Sequence, residues 1–250
     1  MKNTTLFTFI ISLTSLILLS TGCKKEGSIN LNFNAVYGDE PLVMLESYPY
    51  TDGDEINFTV SDFFVSNVYL TDSDGSRVDL TDVELIDFDA QNVTAAMAQT
   101  PISFSFASIE SADYESITFS VGLDAETNLT RPEDYTPENP LSENTRYWGP
   151  WESYIFARFQ GNLINPDLGD DIGWLFHTGK DDVFRTFTYP LDKSIDDNVV
   201  DINIAIDHQE LFKVGDDYMD IRSKPTNHNP QDLEPLIIIT ENFSTAVTID

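Results

Sequence analysis

Residues 145–161 read T-R-Y-W-G-P-W-E-S-Y-I-F-A-R-F-Q-G. From Tyr154 onward the stretch alternates, with Tyr154, Phe156 and Arg158 on one face of an extended chain and Ile155, Ala157 and Phe159 on the other. Period-two patterning makes it a strand. Ahead of it, two of the three tryptophans flank a Gly149-Pro150 turn. That turn sets large amphipathic rings at the mouth of the strand, where they plug a core end or line a site.

The same period recurs on both sides. Upstream, Ile29, Leu31 and Phe33 alternate with asparagines, and Ile56–Leu70 is the longest apolar pattern of the N-terminal half, with a change of parity that predicts a bend near Ser61-Asp62. The D-S-D-G at residues 72–75 lacks the distal acid of a calcium loop in a helical setting, so it reads as a hairpin turn leading to a strand at 83–87. A short helix is expected around Ala95–Ala98. Ile102–Phe106 and Ile117–Val121 alternate cleanly, which implies two strands joined across 110–114. Downstream, the chain re-emerges from a polar loop at 173–179, then 183–189 and 199–206 repeat the pattern, and only 211–212 and 237–243 suggest short helices or ragged strands. No fixed-period repeat is present. The expected architecture is all-β, an antiparallel β-sandwich or flattened barrel of roughly eight to ten strands with long loops and few short helices. Asp124–Asn144 is such a loop, rich in proline and acids, and long ordered loops in compact domains are usually functional.

The start of the chain has a different character. M-K-N-T-T, an apolar run from Leu6 to Leu19 and the closing L-S-T-G-C form a secretory leader with a lipoprotein-type cleavage box. Cys23 is the only cysteine, so it makes no internal disulfide, and its place after Gly22 marks it for acylation. The domains expected are a signal peptide over 1–22, a tether over 23–28 and one β domain over 29–250. The protein is then exported and anchored in the cell envelope by lipid. The formal charge is −30, from 13 basic and 43 acidic residues. Such a surface repels nucleic acid and anionic membrane and attracts cations, which excludes a nucleic-acid function.

No nucleophile elbow, phosphate loop or dinucleotide fingerprint is present, and with so many acids any single carboxylate pair is uninformative. The histidines carry more information because there are three: His177, His208 and His228. Imidazole suits copper, zinc and nickel, although a lone histidine is more often structural than a ligand. His177 stands at a strand end before Thr178-Gly179, His208 begins a turn or helix, and His228 lies in an exposed K-P-T-N-H-N-P loop.

Several segments, in order, resemble the MbnP-like family, methanobactin-associated exported copper-binding proteins that also occur as lipoproteins. They are L-N-F-N-A-V-Y-G-D-E-P-L at 31–42, F-T-V-S-D-F-F-V-S-N-V-Y-L at 58–70, V-E-L-I-D at 83–87, I-T-F-S-V-G-L-D-A-E-T-N at 117–128, Y-W-G-P-W-E-S-Y-I-F-A-R-F-Q-G at 147–161, F-H-T-G at 176–179 and D-H-Q-E-L-F at 207–212. The resemblance spans about residues 29–245. It implies a β-sandwich that binds copper through histidine beside a tryptophan, which in some members is oxidised to kynurenine by a dihaem cytochrome c peroxidase-like partner. On the matching positions, Trp148 takes the first tryptophan of the motif, His177 its H-x-G histidine and His228 its late histidine. Arg146 and Pro150 stand where the motif has methionine and a second tryptophan, and the histidine-bearing C-terminal tail of many members is absent.

The expected function is copper binding, in acquisition or handling, with no catalytic turnover. His177 and His228 are the expected ligands, Trp148 the modifiable ring, and Tyr147 or Glu152 the contact that fixes an imidazole. The rival is a glycan-binding or structural envelope lipoprotein in which the tryptophans are stacking platforms. For Trp151 and Trp174, core plugging and a site role both remain open.

Overall fold

A computed structural model describes residues 25–51, 53–229 and 231–250. The expected leader over 1–22 and the lipidation site Cys23 lie outside the described residues. Nine strands of nine residues or more build the fold among those described: β1 (Glu26–Tyr37), β2 (Glu55–Asp72), β3 (Arg77–Asp87), β4 (Ile102–Glu110), β5 (Ala112–Val121), β6 (Ser153–Asn165), β7 (Asp170–Gly179), β8 (Arg185–Ile195) and β9 (Val199–Asp207). They pack as the all-β sandwich that the alternation predicts. In one sheet β1 lies between β4 and β9, and β9 in turn pairs with a short C-terminal strand, β10 (Val247–Ile249). In the other, the order runs β8-β5-β2-β6-β7, closed at its edge by the two residues Thr226–Asn227, with β3 also on β2.

Most ladders are antiparallel, but β1 pairs with β9 in parallel, from Ser28↔Val199 to Val36↔Asp207. Alternation alone does not show this, because the two strands have the same pattern in either direction. β1 also starts earlier than the expected Ile29. Glycine permits it: a Cβ at Gly27 would lie 2.3 Å from the Asp196 carbonyl oxygen, so only a bare backbone passes there. The bend expected at Ser61-Asp62 is instead distributed along an unbroken β2. Register shifts fall at Phe58/Val60 and again near Asn67, which takes φ +51. Bulges of this kind let one strand serve three partners by re-aiming its edges.

Each inward face is apolar. Ile29, Leu31 and Phe33 of β1 and Ile202, Ile204 and Ile206 of β9 meet Phe58, Phe119, Phe159 and Trp174 from the second sheet in one continuous core. Trp174 is 2% exposed and packs edge-on against Phe58 and Phe212, so its role is core plugging. His208 is fully buried against Phe58, Phe88 and Phe159, with Nε2 2.6 Å from Ser61 Oγ and Nδ1 3.2 Å from the Ile206 carbonyl. Burial lowers its pKa to about 4, so it is a neutral, satisfied core residue. The 237–243 region is helical, as α1 (Glu234–Glu241) and a following turn, with Leu236, Ile239 and Phe243 buried.

Candidate metal site at the sheet edge

Residues 153–157 are buried throughout, whereas 158–165 alternate between half-buried and buried. The reason is a second cover. The 124–146 loop, folded into four short helical turns, lies over the start of β6 and is pinned to it: Asn128 Oδ1 accepts from the Tyr154 amide at 3.0 Å, and the Tyr154 hydroxyl donates to the Leu141 carbonyl at 3.0 Å. The loop delivers Tyr147–Trp148, which pairs back on Ser153 and Tyr154 to form a hairpin. Its turn runs through Gly149–Trp151 and closes on Glu152 at φ +49.

That hairpin places Trp148 and Trp151 against β7. Gly179 is what allows the approach, since a Cβ there would lie 2.7 Å from the Trp151 ring. Lys180 braces the same turn, its Nζ donating to the Trp151 carbonyl and its amide to Ser153 Oγ at 3.1 Å. Along β7, Trp174, Phe176 and Thr178 face the core, while Leu175 and His177 face the other way and are half-buried. Thr226–Asn227 pairs in parallel with Leu175–Phe176, so the next residue, His228, falls beside His177. The result is a cavity of about 140 Å³ lined by Trp148, Trp151, Ile155, Leu175, His177 and His228. The two histidines and Trp148 singled out from the sequence thus come together.

The remaining expectations separate. Tyr147 turns to the covering loop, edge-on to Tyr154 at 5.2 Å and under the Arg131 guanidinium, outside the cavity lining. Glu152 is exposed on the far side of the hairpin, in a depression shared with Leu129, Lys180 and Asp181. The contact on the imidazole comes from Gln160, whose amide Nε2 lies 2.8 Å from His177 Nε2. Trp151 is 6% exposed and Trp148 is 44% exposed, so only Trp148 offers its ring to solvent.

Behind His177 lies a buried charge cluster absent from the sequence reading. Asp62, Arg158 and His177 occupy one rung across β2, β6 and β7. Arg158 grips Asp62 with Nε and Nη2 at 2.9 and 2.7 Å, and Arg146, from the covering loop, bonds both Asp62 and Asp87. Burial pushes the Asp62 carboxyl up, and the two guanidiniums oppose that shift. Burial, then Arg158, His228 and Arg146, lower the His177 pKa to about 4, which leaves a neutral imidazole near pH 7. Arg146, where the family motif has methionine, is therefore a structural charge that ties the covering loop to β2. Among the described residues, no group of three or more His, Cys, Asp or Glu is placed to hold a metal.

The family model for MbnP matches residues 26–230. The chain belongs to the MbnP family. Its structure is similar to that of MbnP from Methylosinus trichosporium, with a TM-score of 0.53 and 16% sequence identity over 75% of this chain and 78% of that one. At that identity the likeness speaks for a shared fold. No curated protein matches the chain. In this MbnP-family fold, the cavity lies between the tryptophan hairpin and the sheet edge that carries His228.

Proposed function

We propose that the protein is an exported, lipid-anchored copper-binding member of the MbnP family, with no turnover of its own, that holds one copper ion between His177 and His228 beside Trp148. The observation that carries this reading is the convergence of two imidazoles, one on β7 and one just past the edge strand Thr226–Asn227, on one otherwise apolar cavity. A donor set of two imidazoles in apolar surroundings suits a soft, low-coordinate ion such as Cu(I) better than a hard divalent ion. His177, already neutral, has no proton to lose before it binds. Copper bound there would supply a soft Lewis-acid and redox centre next to an oxidisable indole. Trp148, at the solvent-facing rim, is the ring that a dihaem cytochrome c peroxidase-like partner would reach.

The glycan-binding alternative draws little support from the same surface. Of the three tryptophans, Trp151 and Trp174 are buried, and Trp148 alone does not form a stacking platform for successive sugar rings.

The test is the copper-to-protein ratio after equilibration with copper and desalting, for the protein and for His177→Ala and His228→Ala. One retained copper, lost in both variants, is the expected result. No retained copper in the unsubstituted protein, or equal retention in all three, would overturn the proposal.

A further inference from the structure

A metal-binding imidazole has to present one bare ring nitrogen while the other carries a hydrogen, and that hydrogen is normally donated to a fixed acceptor. For His177 the partner is Gln160. It faces Leu175 across the β6–β7 ladder, so it sits diagonally from His177 on the same face. Its amide reaches Nε2 of the ring at 2.8 Å. His177 Nδ1 has no protein partner among the described residues, and it is not one of the buried polar atoms left unsatisfied. The ring itself lines the cavity, with Trp148, Trp151, Ile155 and Leu175 offering no competing acceptor side chain.

We infer that Gln160 is the positioning residue of this site: its amide holds His177 Nε2, so that Nδ1 is the nitrogen offered to copper. The inference rests on the copper reading above. A glutamine suits the task because its two amide atoms serve either form of the ring. With its NH2 turned to the ring it donates to a bare Nε2, and after a half-turn its Oε1 accepts from Nε2–H, the form that leaves Nδ1 bare. The half-turn exchanges one hydrogen bond for another at the same place, so the copper-ready form needs no movement of the backbone. Gln160 also pairs across the sheet with Val60 of β2, which fixes its stem from the other side.

The experiment combines nitrogen NMR of the ring with affinity. In the Cu(I)-loaded protein, His177 is expected to carry its hydrogen on Nε2, with Nδ1 bound to copper. Gln160→Leu, which keeps the bulk and removes the amide, is expected to weaken copper binding roughly 10–100-fold. Gln160→Glu, which keeps an acceptor, is expected to restore most of that loss. Thermal unfolding of the copper-free variants separates this from a folding defect, since neither change touches the core face of β6. Loaded protein with the hydrogen on Nδ1, or Gln160→Leu binding copper as tightly as the original, would overturn the assignment while leaving copper binding intact. Failure of the unsubstituted protein to hold copper at all would overturn both.

Discussion

Replacing Asp62 by alanine tests the role of the charge cluster behind the site. Asp62 has a side chain 1% exposed, and among the described residues it is the only carboxylate that Arg158 pairs with. Arg146, 5% exposed, keeps Asp87 but loses its more buried partner. Removing the carboxylate thus strands one guanidinium fully and half-strands another, and breaking a buried pair in this way costs about 3–5 kcal/mol. In a chain of this length, that corresponds to a fall in Tm of roughly 10 °C. The control removes all three charges together as Asp62→Leu, Arg146→Met and Arg158→Met. Because a buried ion cluster gains little over well-packed apolar groups, the triple variant is expected to lie much closer to the original than the single one does. Asp87, whose side chain is 38% exposed, can return to water. Urea unfolding of the three proteins at neutral pH makes the measurement. A single variant within about 1 kcal/mol of the original would refute the reasoning, since a solvated cluster behaves that way. A triple variant as unstable as the single one would refute it too.

Asp89 is held by burial at a pKa of about 6, above the ordinary carboxylate value, and it accepts from the Ser61 amide at 2.6 Å. A raised folded-state pKa favours the protonated fold, so its contribution is complete below about pH 4 and is lost as pH rises through 6. Asp89→Asn is therefore expected to stabilise the protein by about 1 kcal/mol at pH 8, after allowance for partial exposure, and to change nothing at pH 4; equal effects at both, read by thermal unfolding, would count against it. Gly161 lies where β2, β6 and β7 meet, and a Cβ there would fall 1.8 Å from the Asn57 carbonyl oxygen and 2.9 Å from the Trp174 ring. Backbone cannot step aside as a side chain can, so Gly161→Ala is expected to cost at least about 2 kcal/mol and to shift the Trp174 fluorescence, and an unchanged urea midpoint would contradict the packing described.

What the sequence disclosed and what it withheld divide along a physical line. Strands such as 29–33, 102–106 and 199–206 are legible because one buried face per strand writes a period of two into the chain. The His177, His228 and Trp148 grouping was legible through scarcity and family resemblance. Gln160 was not, because nothing in its local pattern distinguishes it: its role arises from register, which sets it diagonally from His177 across a ladder. Asp62 and Arg146 were hidden for a related reason. Isolated charges read as solvent-facing, and it is the covering loop, with no periodic signal of its own, that takes them out of water. Tyr147 and Glu152 were nearer to Trp148 in sequence than Gln160 is, but the hairpin turns one toward the loop and the other toward solvent.

The two histidines are held with unequal stiffness. His177 belongs to a ten-residue strand paired along its length with β6, whereas His228 sits one residue beyond a two-residue strand at the sheet margin. That margin is fastened by the Leu175 amide to the Pro225 carbonyl at 2.8 Å and by the Asn227 side chain to the Asp232 carbonyl at 2.8 Å. The ladder that holds His228 is two residues long and the one that holds His177 spans a whole strand, so the two halves of the pair are unequally preorganised. Any ligand that bridges both rings would stitch residues 225–229 onto β7, and its release would require only the unstitching of that hem, with the sandwich left whole.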